Sequence, residues 1–180
     1  MRALLACVVL SGCIVPAPTS GEKAAPEAKR GPPAQPVQVQ NGANLGDKVE
    51  IQGLILNPGR AYPGDSVRVS AFFKVLDEIP TDYMVFVHVE DIDGRVDRLN
   101  ADHAPAGGAN PTSKWKKGDV VRDDFQIYVP PTMQVRGLNV LLGFWDPKTD
   151  ARLPISNANA VRTDGNNRLL VGTFPVVQPN

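Results

Sequence analysis

Residues 67–75 alternate between apolar and mostly polar side chains, and this alternation limits the possible folds more than any other feature. The apolar positions are Val67, Val69, Ala71, Phe73 and Val75. Successive side chains of a β-strand point to opposite faces, so these residues would share one face. The segment therefore predicts a strand with one buried face and one polar face, on which Phe72 is the single aromatic.

The rest of the sequence from residue 45 onward repeats this kind of pattern between turn signals. We expect strands over residues 49–56, 83–90, 125–129, 138–145 and 168–177, and a short one over residues 152–155. The segment 83–90 is apolar on both faces, which is typical of a central strand, whereas Pro175 favours an edge position for the last strand. The predicted fold class is all-β, an antiparallel β-sandwich with either jelly-roll or immunoglobulin-like connections.

A change of composition marks the start of this domain. Residues 14–44 combine alanine, glycine, lysine, glutamate and glutamine with frequent proline, at Pro16, Pro18, Pro26, Pro32, Pro33 and Pro36. Such a segment buries too little apolar surface to offset the entropy of ordering its backbone. We therefore predict a disordered Pro/Ala-rich tether that extends to residue 44, followed by the β-sandwich over residues 45–180.

The N-terminal residues have the features of a targeting signal. Arg2 precedes a short apolar stretch over residues 3–10, and Leu10-Ser11-Gly12-Cys13 closes it with small residues. This pattern resembles the lipobox of bacterial lipoproteins. The resemblance implies a signal peptide over residues 1–12, acylation of Cys13, and attachment to a membrane through lipid. Ile14 follows the cysteine where an aspartate would favour inner-membrane retention, so we expect the outer membrane.

Charge and cysteine content exclude several classes of function. The 19 basic and 19 acidic residues balance, and no basic stripe is visible, so nucleic acid is not an expected partner. The two cysteines are Cys7 and Cys13. If Cys7 leaves with the signal and Cys13 carries lipid, the mature protein has no thiol for a disulfide, a metal or a nucleophile.

Several phrases in the domain resemble small β-sandwich domains of bacterial envelope proteins, sometimes attached to membrane glycosyltransferases. In order along the chain they are Tyr62-Pro63-Gly64-Asp65, Phe86-Val87-His88-Val89, Asp93-Gly94, Asp102-His103-Ala104-Pro105, Trp115-Lys116-Lys117-Gly118-Asp119 with Arg122-Asp123, Val129-Pro130, Leu142-Gly143-Phe144-Trp145 and Arg152-Leu153. The resemblance implies the sandwich fold, an envelope location and a non-catalytic role.

The long, strand-poor stretch over residues 99–118 holds the sharpest polar pair, Asp102 and His103. These two residues either contribute to a ligand or metal site, with His88, or hydrogen-bond the loop backbone and hold it on the sandwich. The second alternative is the one that we expect, because a zinc site needs three or four well-placed ligands. Asp91 and Asp93 could offer oxygens to calcium, but an Asp-Gly hairpin is the simpler interpretation.

Aromatic residues provide a second candidate ligand-binding set. Stacking of a sugar ring on an aromatic face could involve Trp115, Trp145, Tyr128 and Phe72. Burial in the core or pinning of the long loop is the alternative for Trp115 and Trp145. The candidate ligand-binding residues are therefore Trp115, Trp145, Tyr128, Asp102 and His103.

No catalytic constellation is visible. The sequence contains no Gly-x-Ser-x-Gly elbow and no glycine-rich phosphate loop. We therefore expect no enzymatic activity, no cofactor and no metal. The leading hypothesis is a lipid-anchored envelope lipoprotein that serves as an accessory or scaffold subunit of a membrane-associated protein assembly. A carbohydrate-binding module for envelope polysaccharide is the first alternative, and a small metal-dependent enzyme is the second.

Overall fold

The computed structural model describes residues 35–179. The predicted signal peptide, Cys13 and the predicted tether up to residue 34 lie outside these residues. The described chain forms eight strands: β1 (Val37–Leu45), β2 (Val49–Asn57), β3 (Ser66–Val75), β4 (Met84–Asp91), β5 (Leu99–Asn100), β6 (Val120–Tyr128), β7 (Gly137–Trp145) and β8 (Leu169–Pro175).

The strands form two four-stranded sheets in the orders β1-β2-β3-β6 and β5-β4-β7-β8, and every neighbouring pair is antiparallel. This confirms the predicted all-β sandwich. If β2 to β8 are labelled A, B, C, C′, E, F and G, the pairings are A-B-E and C′-C-F-G, which is the immunoglobulin-like arrangement. The connections therefore decide between the two topologies that the sequence left open, and β1 is an additional strand at the edge of the first sheet.

The core lies between the two inner faces and is built from the alternation seen in the sequence. On β3 the side chains of Val67, Val69, Ala71 and Phe73 are fully buried. On β4 the inward residues are Val85, Val87 and Val89. The prediction of a central strand over residues 83–90 is confirmed, because β4 lies between β5 and β7.

The start of the domain corrects one prediction. Residues 37–44, assigned to the tether, form most of β1, which pairs with β2. Ala43 and Leu45 are fully buried, so this segment does bury apolar side chains. The error arose because Pro36 and the glutamines resemble the tether in composition, although Val37 and Val39 already alternate.

Two other elements position the site. The predicted strand-poor segment is confirmed, since the chain between β5 and β6 contains only short 3-10 turns at Pro105–Gly108 and Thr112–Lys114. The last strand, β8, is an edge strand, as Pro175 predicted. Since no helix crosses the outer face of the second sheet in the described part of the chain, the loops around β4 and β7 form its surroundings.

Candidate functional site

A mixed polar and aromatic depression lies on the outer face of the second sheet, over β4 and β7. It encloses about 480 Å³ and is open on one side. Its lining residues are Phe86, His88, Arg98, Asp102, Trp145, Asp150 and Arg152. A volume of this size lies within the usual range for small-molecule sites. We call this feature the β4/β7 depression.

The floor of the β4/β7 depression is an aromatic ring covered by a cation. Phe86 points outward from β4, opposite Gly143 on β7. A Cβ at Gly143 would lie 2.4 Å from Cζ of Phe86, so the ring can occupy this position only because residue 143 has no side chain. The Arg152 guanidinium lies over the ring of Phe86, 4.8 Å from its centroid. Phe86 is therefore only 2% exposed, because the guanidinium covers its ring and shields it from solvent.

His88 forms the second part of the floor and is electrically neutral at pH 7. Its ring centroid lies 5.1 Å from that of Phe86. Nη1 of Arg98 and Nη1 of Arg168 each lie 3.4 Å from His88 Nδ1, so this nitrogen faces donors and accepts. Burial lowers the pKa of His88, and the positive charges of Arg98, Arg168 and Arg152 lower it further, against the opposing charge of Asp102. The proton of the neutral ring is therefore assigned to Nε2.

Asp102 lines the depression and also fixes the loop that carries it. Its Oδ1 accepts a hydrogen bond of 2.8 Å from the backbone N–H of Val87 on β4. The sequence analysis expected Asp102 to hydrogen-bond loop backbone, whereas its partner is the backbone of strand β4, so the contact fastens the loop to the sheet. The same contact places the carboxylate beside Trp145, so two of the predicted candidates meet at one site.

His103, the neighbour of Asp102, does not line the β4/β7 depression. Its Nε2 donates to Asp123 Oδ2 at 2.7 Å, and its Nδ1 donates to the Ala101 carbonyl oxygen at 2.8 Å. Burial opposes the imidazolium form, but the hydrogen bond with Asp123 prevails and raises the pKa of His103. The second oxygen of Asp123 accepts the N–H of Ala106. The pair therefore ties the loop to β6, which confirms the structural alternative for His103.

The predicted aromatic set does not form one platform. Trp115 is 2% exposed, packs on Phe73 and Phe144, and donates Nε1–H to the Asn110 carbonyl oxygen. Tyr128 is 54% exposed, but it lies on β6 in the first sheet. The prediction that these residues would share a ligand surface with Trp145 is wrong, because Trp115 is buried in the core and Tyr128 lies on the other sheet.

Phe72 lies on the first sheet as well, where it lines a separate depression. Its strand partner is Gly53, and the surrounding polar side chains are Gln38, Gln40 and Gln52. A Cβ at Gly53 would lie 2.3 Å from the carbonyl oxygen of Val39. The ring of Phe72 lies beside Gly53, a position where a side chain would collide with β1.

Acidic residues elsewhere serve local structure. Asp91 is buried and accepts hydrogen bonds from the backbone N–H groups of Asp93 and Arg95, while Asp93 pairs with Arg136. This geometry is the turn that the sequence favoured over a calcium site. Among residues 35–179, no three histidine, cysteine or acidic side chains are grouped so that they could hold a metal ion.

The described residues contain no helix that is long and apolar enough to cross a membrane. No protein family and no curated protein matches the sequence. Solved structures that resemble the fold include the following two. A Niemann-Pick type C2 protein from Japanese carpenter ant is 12% identical, covers 78% of this chain and 98% of its own, and has a TM-score of 0.40. AvmM, which catalyses macrocyclization in alchivemycin A biosynthesis, is 15% identical, covers 81% of this chain and 97% of its own, and has a TM-score of 0.40.

Four residues of the site were not predicted from the sequence: Phe86, Arg98, Asp150 and Arg152. Arg98 and Arg152 lie in different connections and meet only because β4 pairs with both β5 and β7. Phe86 could have been found, because it shares the outward face of a strand with His88. Two consecutive outward positions occupied by aromatic rings indicate a functional or covered surface rather than a solvated one.

Proposed function

We propose that this protein is a lipid-anchored lipoprotein of the bacterial envelope whose β-sandwich is a non-catalytic binding domain. It serves as an accessory or scaffold subunit of a membrane-associated protein assembly. Acylation at Cys13 holds it to the membrane, and the outer membrane is the proposed location. The segment between Cys13 and β1 separates the domain from the bilayer.

The observation that carries this proposal is the chemistry of the β4/β7 depression. Its ionisable groups are guanidiniums, carboxylates and a neutral imidazole, and the His88 ring faces two guanidiniums instead of a hydroxyl nucleophile. Both guanidiniums point donors at Nδ1 of His88, so this lone pair is engaged and is less available to accept a proton from a substrate. An open, polar and aromatic surface of this kind supports recognition rather than bond cleavage.

The test is in-cell crosslinking followed by affinity purification of the protein from detergent-solubilised envelope. We expect a protein partner in near-constant ratio, identified by mass spectrometry. The test variant is the Arg152→Ala, Trp145→Ala double substitution, in which the ratio should fall if the β4/β7 depression contributes to the contact. A purified protein that is monomeric and has no crosslinked partner would contradict the accessory role.

A carbohydrate-binding module for envelope polysaccharide is the second candidate. It is favoured by the meeting of Trp145 and Asp102 with Arg98 and Arg152 in one depression. Sugar rings stack on aromatic side chains, and their hydroxyl groups both donate to carboxylates and accept from guanidiniums.

A matched pair of aromatic variants tests this candidate. Trp145→Ala should abolish retention on envelope polysaccharide, whereas Tyr128→Ala should leave it unchanged, because Tyr128 lies on the other sheet. Trp115 is unsuitable for this test, since its removal would disrupt the core. Equal retention of the two variants would remove Trp145 from the ligand surface.

A further inference from the structure

Two cations of the β4/β7 depression lack a carboxylate partner within the described chain. Arg168, beside them, pairs with Glu90 and with Asp164. Neither Arg98 nor Arg152 takes part in any ion pair among residues 35–179. Arg98 approaches the His88 ring, and Arg152 lies on Phe86 and donates to the Asn166 carbonyl oxygen at 3.0 Å. An anionic group that entered here would gain two charge-assisted contacts.

The charges around His88 at the floor are mostly positive. Burial is the main cause of its lowered pKa, and the guanidiniums of Arg98, Arg168 and Arg152 lower it further, while the Asp102 carboxylate opposes them. The remaining acidic groups near this floor are Asp150 at the rim and Glu90 and Asp164, which are bound to Arg168. The neutral ring therefore lies in a positive environment that one carboxylate would offset.

The rim limits the ligand further, because it carries two carboxylates of its own. Asp102 and Asp150 would repel a small bare anion, but they would accept hydrogen bonds from hydroxyl groups. The ligand that uses the whole lining has one anionic group and several hydroxyl donors. This combination is found in an acidic sugar and not in an acidic peptide side chain.

Trp145 supplies an apolar surface beside these polar groups. Among the described residues, its Nε1 is buried and has no hydrogen-bond partner. The side-chain surface that Trp145 offers to the depression is therefore ring carbon and not the N–H group. Ring carbon is the surface on which the C–H face of a pyranose packs.

We propose that the β4/β7 depression binds a uronic-acid unit of an envelope polysaccharide, with its carboxylate at Arg98 and Arg152 and its ring against Trp145. This inference rests on the carbohydrate-binding candidate of the proposed function and specifies its ligand. Asp102 and Asp150 accept hydrogen bonds from the hydroxyl groups.

The experiment is calorimetric titration of the full-length lipoprotein in detergent with oligosaccharides of galacturonate, glucuronate and mannuronate. Their methyl esters serve as uncharged counterparts, and poly-glutamate as an acidic peptide. We expect at least one uronate to bind and its methyl ester to bind about tenfold or more weakly, since a hydrogen bond to a charged group contributes this much. Arg98→Gln and Arg152→Gln should each reduce uronate affinity about tenfold.

Arg122→Gln is the matched control, because Arg122 is an exposed arginine on the outer face of the other sheet. It should bind uronate as the unmodified protein does. Urea unfolding midpoints of all three variants establish that they are folded. A second readout uses NMR titration in a His103→Gln background, where His88 is the remaining histidine. Bound uronate should raise the pKa of His88, and the methyl ester should not.

Several outcomes would overturn the inference, and they separate it from the proposed function. Equal affinity for uronates and their esters would retain a carbohydrate module but refute the carboxylate subsite. Binding of poly-glutamate alone would point to an acidic protein partner. Failure of all three uronates, or undiminished binding by Arg98→Gln and Arg152→Gln, would refute the site while the accessory role is tested independently by crosslinking.

Discussion

At the scale of single residues, the His103–Asp123 pair is the most consequential contact. Asp123 is fully buried at the start of β6, and both nitrogens of His103 face acceptors. Only the doubly protonated ring satisfies both acceptors at once. The raised pKa of His103 means that the folded protein holds this proton more tightly than the unfolded chain does.

This pair predicts a pH-dependent stability. The stabilisation is fully present below the unfolded histidine pKa of about 6.5 and is lost as pH rises through the higher folded pKa. Each unit of pKa difference corresponds to about 1.4 kcal/mol. We expect the free energy of unfolding, measured in urea from pH 5 to 9, to fall with pH relative to that of His103→Gln. Parallel pH profiles of the two proteins would contradict this prediction.

Gly53 allows the first two strands to approach each other. Because a Cβ at this position would lie 2.3 Å from the Val39 carbonyl oxygen, Gly53→Ala must push β1 away from β2. We expect a loss of about 1–3 kcal/mol in the free energy of unfolding. Gly172→Ala is the matched control, because its Cβ would meet no atom closer than 3.4 Å. Equal unfolding midpoints of Gly53→Ala and Gly172→Ala in urea would show that β1 and β2 accommodate the added methyl group without a loss of stability.

At the scale of elements, β1 has two halves that differ in burial. Val37 is 41% exposed, whereas Ala43 and Leu45 are fully buried, and the register with β2 shifts between Gln40 and Ala43. The second half therefore belongs to the core, and the first half lies along the edge of the sheet. The two halves should contribute unequally to stability.

A truncation series measures this difference. Variants that start at residue 35, 41 and 46 retain all of β1, its buried half, or none of it. We expect the variants starting at residues 35 and 41 to differ little, and the variant starting at residue 46 to lose about 2–5 kcal/mol because Leu45 leaves a cavity. Urea unfolding provides the measurement. A loss that appeared already at residue 41 would place the stabilising contacts in the outer half.

Prediction of the strands succeeded where one face is apolar and failed where composition obscured the alternation. The strands β2, β3, β4 and β7 were predicted from their patterns, whereas β6 begins five residues earlier than expected, at Val120. Its outward residues there are charged, and Val120 is exposed, so the segment resembles a loop. The strand β1 was missed because its valines stand among glutamines after a proline-rich segment.

The site was less predictable than the fold, because it depends on contacts between distant parts of the chain. Trp145 and Asp102 could be nominated by residue type, but nothing in the sequence distinguishes the buried Trp115 from the half-buried Trp145. Three strands, β5, β6 and β7, separate Arg98 from Arg152 along the chain, and the two residues become neighbours through the pairing of β4 with β7. Sequence patterns fix the face of a side chain and not its neighbours across the sheet.

At the scale of the whole molecule, the proposed acylation of Cys13 predicts where the protein is found in the cell. Cys13→Ser removes the thiol that acylation requires, so the protein should move to the soluble fraction or accumulate as an uncut precursor. Cell fractionation and mass spectrometry of the N-terminus measure both. Cys7→Ser is the matched control and should leave membrane attachment unchanged. A Cys13→Ser protein that is processed and membrane-bound would refute the lipobox interpretation.

The edge position of β1 also has a mechanical consequence. A pull on the chain at residue 35 reaches β1 before any other strand. The outer ladder over residues 37–40 is separated from the inner ladder over residues 43–45 by the register shift, so the two can yield in sequence. Release of the outer part would lengthen the chain by roughly 3.3 Å per residue while Leu45 stays in the core. The outer part of β1 can thus detach and extend under tension before the rest of the sandwich is loaded.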